Sequence, residues 1–220
     1  MNKPARGLRS DGEATRIRIL EAAGELFAST GYAETPNKAI AAHAQVDLAS
    51  INYHFGTRSG LYQAVLAESY GQVLGLAKLK QLVDSELAPA SKLRVLTEQL
   101  VGHATREPQA WQLRVLAREI LAPTSHLQTL FQNEARPKVA LLRRMLSEIT
   151  QIPADDPALT RCLLNVIAPC LMLLVGGRNF PGPVQEIFQM SSQTIADHLF
   201  HFALGGLESI KDEYKRNAKP

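Results

Sequence analysis

From Thr15 to Ser29 the apolar residues Ile19, Leu20, Ala22, Ala23, Leu26 and Phe27 recur three and four positions apart, which gathers them on one face of a helix. Gly31 ends that pattern. Thr35 followed by Pro36 reads as an N-cap and a first helical residue, opening a short second helix through Ala39, Ile40 and Ala44. Asp47 is the next N-cap, for a third helix from Leu48 to about Tyr53 or His54. A polar segment from Gly56 to Gly60 leads into a long periodic stretch from about Ser59 to Val83, read as one helix bridging two regions. Further helical patterns run from about Ala90 to Thr105, Pro108 to Leu121, His126 to Thr150, Pro157 to Val175 and Pro183 to Leu204, with nearly every break at proline or glycine. No segment alternates with period two, so the expected fold is all-α.

A length of 220 residues predicts one large or two small units, and 45% hydrophobic with 20% charged residues describes a globular chain. The first sixteen residues are basic and polar with no apolar run behind them, so no secretory signal is read and a cytoplasmic protein is expected. The greasiest stretch, Cys162 to Val175, falls short of the roughly 20 residues of a spanning helix and contains Asn165 and Pro169. It reads as a buried helix, with no membrane partner. Cys162 and Cys170 lie about 12 Å apart along such a helix, too far for a disulfide, and are expected to be reduced. The net charge of +3 is mild, but Lys3, Arg6, Arg9, Arg16 and Arg18 make the N-terminal arm locally basic. The tail after Gly205-Gly206 carries Lys211, Lys215, Arg216 and Lys219, has no apolar face after Ile210, and is expected to fray.

Two short helices joined by a turn of about four residues, the second opening at a polar cap, have helix-turn-helix spacing. Residue identities add to it. Gly31-Tyr32-Ala33-Glu34-Thr35, then Ile40-Ala41, Ala44 and Val46, then Ile51-Asn52-Tyr53-His54-Phe55-Gly56-Thr57-Arg58-Ser59-Gly60-Leu61-Tyr62, together resemble the N-terminal domain of the TetR family of bacterial repressors. The resemblance covers about residues 15 to 65. It implies a three-helix DNA-binding head, a long fourth helix, and a variable helical body that dimerises and binds ligand. Two positions depart from the family pattern. Gln45 stands where glycine is common in the turn, and must accept a backbone conformation glycine takes more cheaply. Arg58 stands where lysine is common, and also pairs with phosphate.

In a helix-turn-helix, the first turns of the third helix meet base edges in the major groove. There, Asn52 suits a bidentate contact to adenine, Ser50 can bond either way, and Leu48 or Ala49 can touch a thymine methyl. Tyr53, His54 and Arg58 are candidate phosphate ligands at the close of that helix, and Thr35 with Lys38 at the start of the second. Val46, Ile51, Phe55, Ile40 and Leu61 are assigned to the core of the head.

The expected organisation is a flexible basic arm (1–14), a helix-turn-helix domain (15–60), a ligand-binding and dimerisation body (61–206) and a polar tail (207–220). Leu163, Leu164, Val166, Ile167, Leu171, Leu173 and Leu174 surround nearly a whole helix, and Ile187, Phe188, Met190, Ile195, Leu199, Phe202 and Ala203 come next. Paired across a two-fold axis these form a four-helix homodimer interface, as the resemblance implies, suited to a pseudo-palindromic operator on double-stranded DNA. The candidate lining of a small-molecule effector pocket is Trp111, His103, Arg114, Arg118, Phe131, Met145, Asn165 and Met172. The segment Arg118-Glu119 to Pro123-Thr124, with Arg136-Pro137, resembles a subgroup tied to drug efflux and toxic-compound response. No Gly-x-Ser-x-Gly elbow, phosphate-binding loop or CxxC pair is present, so neither an enzyme nor a cofactor is expected. His198 and His201, with Asp197 beside them, have a spacing that can chelate metal but read as packing or rim residues of the dimer helix. The competing class is a helical protein-interaction module that never touches DNA.

Overall fold

The computed structural model describes residues 6–106, 110–176 and 182–217, and among them every regular element is helical. In chain order these are α1 (Arg6–Thr30), α2 (Asn37–Ala44), α3 (Leu48–Phe55), α4 (Arg58–Val73), α5 (Leu76–Val83), α6 (Pro89–Thr105), α7 (Trp111–Leu121), α8 (Ser125–Leu130), α9 (Arg136–Thr150), α10 (Pro157–Gly176), α11 (Pro183–Ile187) and α12 (Ser192–Asn217). The chain forms two compact units: residues 1–72 with 110–131, and residues 73–109 with 132–220. Compactness therefore divides the chain differently from the motif boundary at residue 60.

In the first unit, Ile19, Ala23 and Phe27 of α1 are buried with Ile40 of α2, Ile51 of α3 and Leu61, Val65 and Leu66 of α4. Helix α7 packs along α1. The approach is close because α1 presents Gly24: a Cβ built there would lie 2.3 Å from Trp111 Cε3. Trp111 is accordingly buried.

In the second unit, α6 packs against α9, α10 and α12 through Leu93, Leu96, Leu100 and Val101. Lys92 is buried within it, donating to the Val83 carbonyl (2.8 Å) at the last residue of α5 and to Glu148 Oε2 (2.9 Å) on α9. Placing a cation at the C-terminal end of α5 satisfies a carbonyl that the helix itself cannot. Arg94 of α6 lies 4.0 Å from the Phe200 ring centroid and pairs with Asp197 of α12. Asp197 also accepts from Gln193, and among the described residues no group of three ligating side chains gathers for a metal.

Several boundaries differ from the expected ones, each for a local reason. Positions 6–14, expected as a flexible arm, belong to α1, while positions 1–5 of that arm lie outside the described residues. The stretch read as one helix from Ser59 to Val83 is two helices, because α4 ends at Val73 and Gly75, in extended conformation, caps α5. The stretch from His126 to Thr150 contains a π turn, Phe131–Ala135. Pro137 offers no N–H to the carbonyl of Asn133, and the wider turn absorbs that lost bond. The pattern from Pro183 to Leu204 is broken after Ile187 and restarts at Ser192. Gly205-Gly206 do not end α12, which runs to Asn217. Leu207, Ile210 and Tyr214 keep a helical stripe beyond the glycines, and the Tyr214 hydroxyl donates to Asp156 Oδ2 at 2.7 Å. Helix α10 reaches twenty residues, long and apolar enough by length and composition to cross a membrane, although Ala158, Leu159, Cys162, Val166 and Leu173 are buried in this unit. Both cysteines are free and buried, and burial pushes the Cys170 thiol up to about 11.

Two measurements test this packing. Gly24→Ala forces a methyl into the Trp111 ring and destabilises the protein by about 1–3 kcal/mol in denaturant unfolding. The Ala158 backbone N–H and then Tyr214 hold the Asp156 carboxyl below its ordinary range. A lowered folded value gives stability that is present above the ordinary aspartate range and lost as pH falls through the folded value. Tyr214→Phe therefore melts earlier than wild type at neutral pH, and the deficit closes as thermal scans move below the ordinary aspartate range and Asp156 becomes protonated.

Candidate nucleic-acid interface

The turn between α2 and α3 closes on Gln45, whose φ of 54° and ψ of 51° put a non-glycine residue in the left-handed region. Its N–H and that of Val46 return to carbonyls at the end of α2, at Ala42 (3.2 Å) and Ala41 (3.0 Å). This is the strained conformation expected from the absence of glycine, and it turns the chain sharply into α3.

Helix α3 buries only Ile51, and its other residues are exposed or half-buried. Leu48, Ala49 and Asn52 are exposed, Ser50 is half-buried, and Tyr53 is 85% exposed. Such exposure of a tyrosine ring has no packing explanation within the chain. Asp47 occupies the N-cap with extended backbone; its carbonyl accepts from the Ser50 N–H at 2.9 Å, but its side chain makes no capping bond to the amides of Leu48 and Ala49. His54 is half-buried, with its ring 5.0 Å from that of Tyr53. Phe55 and Val46, assigned to the core, are also half-buried. Arg16 of α1 lies 5.4 Å from the Phe55 ring, placing a further cation beside the end of α3 that sequence reasoning left without a role in the site.

Two of the candidate phosphate ligands, Thr35 and Arg58, are engaged within the protein. Thr35 is not the cap of α2: helix α2 begins at Asn37 behind Pro36, which has no side-chain cap to give. The Thr35 hydroxyl is buried, shares a hydrogen bond with Thr30 Oγ1 at 2.6 Å and lies 2.7 Å from the Gly31 carbonyl as a donor to it, so it holds the α1–α2 connection instead of facing outward. Arg58 is also engaged internally. Its guanidinium donates to the carbonyls of Tyr32 and Ala33 and lies 4.6 Å from the Tyr32 ring centroid. Lys38, by contrast, lies on the first turn of α2 and is exposed.

The candidate effector residues do not form one group. Trp111 and Arg118 belong to the first unit, where Trp111 covers Gly24 and Arg118 Nη1 donates to the carbonyls of Ala28 (3.3 Å) and Ser29 (3.2 Å) at the end of α1. Arg114 and Phe131 are exposed in that same unit. Met145 is buried in the second unit, while His103 is half-buried there and held below its ordinary pKa, first by desolvation and then by Arg106 and Lys78. Asn165 and Met172 share an open groove between α10 and α12 with Pro169, Phe202 and Ile210. Sequence reasoning missed Glu119 as a structural hub: it is 1% exposed, and Oε2 accepts from the Tyr62 hydroxyl at 2.7 Å. Its Oε1 accepts from the Thr124 N–H (2.9 Å) and hydroxyl (2.7 Å). The Arg-Glu pair in the sequence was the available signal.

Known proteins resemble the chain in both of its parts. Residues 19–65 match the family described as bacterial regulatory proteins, tetR family, and residues 89–207 match the C-terminal domain of the HTH-type transcriptional dual regulator CecR. The HTH-type transcriptional repressor Rv3405c of Mycobacterium tuberculosis is 36% identical over 139 residues, a match spanning 62% of this chain and 64% of that relative. Among solved structures, AibR in complex with isovaleryl coenzyme A and operator DNA superposes with a TM-score of 0.65 at 18% identity, covering 86% of this chain and 97% of AibR. NalD, the secondary repressor of the MexAB-OprM multidrug efflux pump in Pseudomonas aeruginosa, gives 0.62 at 23% identity, covering 90% of this chain and 97% of NalD.

Proposed function

Because the chain belongs to the TetR family of bacterial transcriptional regulators, we propose that it is a cytoplasmic, ligand-responsive repressor that binds a pseudo-palindromic operator as a homodimer and leaves it when a small molecule binds the helical body. The observation that carries the DNA-binding half is the surface of α3, a short helix that buries one residue and presents Leu48, Ala49, Asn52 and Tyr53 to solvent. Asn52 has the paired donor and acceptor that match adenine in the major groove, and Leu48 and Ala49 are apolar surfaces for thymine methyls. Tyr53, His54, the first amides of α3 and Lys38 are the phosphate ligands, with Ser50 at the groove floor. Thr35 and Arg58 contribute indirectly, by shaping the turn ahead of α2.

Dimerisation is supported by the apolar surface of the second unit. Leu164 is 66% and Phe202 75% exposed, and Leu171 and Met172 extend that surface along α10. A second copy applying the same face across a two-fold axis covers both helices, and sets two copies of α3 for two half-sites. Residues of the body, among them His103, Met145, Asn165 and Met172, are proposed for the effector. AibR, crystallised with an acyl-coenzyme A and its operator, supports that scheme.

Selection of random duplex DNA by the purified protein, followed by sequencing, tests the conclusion directly: enrichment of an inverted repeat is expected, and no enrichment at any salt concentration with folded protein present refutes it. On the selected operator, Asn52→Ala relaxes preference at one base by about 1–3 kcal/mol. Tyr53→Ala weakens cognate and random DNA alike, and Lys38→Ala reduces the salt slope by about one. Phe202→Asp shifts the protein from dimer to monomer in sedimentation and abolishes tight binding to the inverted repeat, while a single half-site is bound as by wild type.

A further inference from the structure

Helix α1 starts at Arg6, yet from position 11 onward its first buried residue is Ile19. From there its core face runs through Ile19, Leu20, Ala23 and Phe27. Seven residues make nearly two helical turns, so the same face carried toward the N-terminus holds Gly12 ahead of Ile19, Arg16 ahead of Ala23, and position 9 ahead of Arg16. At Gly12 this face has nothing beneath it among the described residues: a Cβ built there meets no atom within 4 Å, whereas one built on Gly24 of the same helix lies 2.3 Å from the Trp111 ring. The early turns of α1 therefore overhang the core, and packing does not account for what their inner face carries.

That face is basic. Positions 6, 9, 13 and 16 are three, four and three residues apart, which puts Arg6, Arg9, Glu13 and Arg16 in register on one stripe of α1. The stripe ends at the DNA-reading helix, because the Arg16 guanidinium lies 5.4 Å from the ring of Phe55, the last residue of α3, next in sequence to Tyr53 and His54. Arg16 also pairs with Glu13 at 3.8 Å, with side chains 41% and 63% exposed. So exposed a pair contributes little, and a phosphate can displace it. An overhanging apolar face would call for a protein partner; a face with three arginines to one glutamate calls for a polyanion. Since it continues from the end of α3, that polyanion is the duplex α3 reads. Ten residues of helix from position 6 to position 16 span about 15 Å, the length of about four base pairs.

We propose that the first turns of α1 are a second DNA-contacting element, in which Arg9 and Arg16, with Arg6 on the same stripe, bind phosphates flanking the bases read by α3 and read no base themselves. This rests on the DNA-binding reading above. Glu13 faces the same backbone and holds the affinity down, so the stripe has a built-in brake.

The experiment uses the full-length protein and the selected operator, with wild type, Arg9→Gln, Arg16→Gln, the double variant Arg9→Gln/Arg16→Gln, and Glu13→Gln. Each single arginine variant is expected to lower the salt slope of binding by about one and the double variant by about two, with base preference unchanged. Glu13→Gln is expected to bind about threefold more tightly at low salt, a gain that a purely structural role for the stripe does not produce. In hydroxyl-radical footprints, wild type protects about four base pairs of backbone beside the selected bases, and the double variant leaves them open. A double variant with the wild-type salt slope and footprint overturns the proposal and leaves operator binding intact. Weakened binding in Arg16→Gln alone, with Arg9→Gln and Glu13→Gln behaving as wild type, also overturns it by reducing Arg16 to packing on Phe55. A changed base preference in Arg9→Gln overturns it as well, since the arm is then a reader of bases. A wild-type protein that selects no operator overturns the DNA-binding reading and this inference with it.

Discussion

A carboxylate taken out of water must be met by donors, and the carboxylate of Glu119 sets where three helices of the first unit can be. Its donors come from α4 through Tyr62 and from the α7–α8 turn through Thr124, while Glu119 itself is on α7. Leaving such a group partly unpaired costs more than an ordinary hydrogen bond contributes, so the three elements are held together. The Tyr62 hydroxyl feels the other side of this arrangement: burial, then its bond to Glu119, push its pKa well above the usual tyrosine range, so it stays a donor at every physiological pH. Phe27, Tyr32 and His126 pack round the same ring, so the polar bond is shielded from competing water.

The polar groups around the helix-turn-helix then divide into those engaged by the protein and those left for a partner. Thr35 and Arg58 are engaged, one by the α1 terminus and the other by the carbonyls of Tyr32 and Ala33. Asn52 and Tyr53 face solvent, and the first amides of α3 receive nothing from the Asp47 side chain. Hydrogen-bonding capacity on a rigid, exposed helix is what a base-reading surface needs, because little has to be broken before contact is made. The arginine at 58 serves the same surface from behind: its Nη2 donates to the adjacent carbonyls of Tyr32 and Ala33, and its guanidinium carbon lies 4.6 Å from the Tyr32 ring centroid.

Much of this was legible in the sequence. Apolar spacing located the helices of the head to within a residue or two at α2 and α3, and the all-helical class came from the lack of alternation. Gln45 shows local chemistry read correctly: in a position where glycine is cheaper, the chain adopts the left-handed backbone, with two amides returned to α2 as compensation. Elsewhere glycine misled. Gly75 caps a new helix although Leu79 and Val83 of α5 keep the helical phase of Val65 in α4, whereas Gly205-Gly206 are carried through by Leu207, Ile210 and Tyr214. Long-range partners were not legible. Trp111 and Arg118 have the size and polarity of pocket residues, and nothing in their local sequence says that Gly24 and two carbonyls of α1, far earlier in the chain, will meet them.

Helix α10 shows why composition alone cannot assign a greasy segment. Its twenty residues satisfy the length and apolarity of a membrane span, yet one side is committed to α6, α9 and α12. Pro169 has no N–H to offer the Asn165 carbonyl, and both residues line the groove with Phe202 and Met172. In hydrocarbon an unanswered carbonyl costs several kcal/mol, but in a groove partly open to water it costs little. An interface with a second helix pair therefore fits this face better than lipid does: it covers the leucines and Phe202 while leaving water or a polar side chain access to residue 165. Asn165 and Met172, read from the sequence as pocket residues, lie on this face, so an effector contacting them would also contact the partner copy. Dimerisation and effector response would then share one surface, and substitutions there would change both.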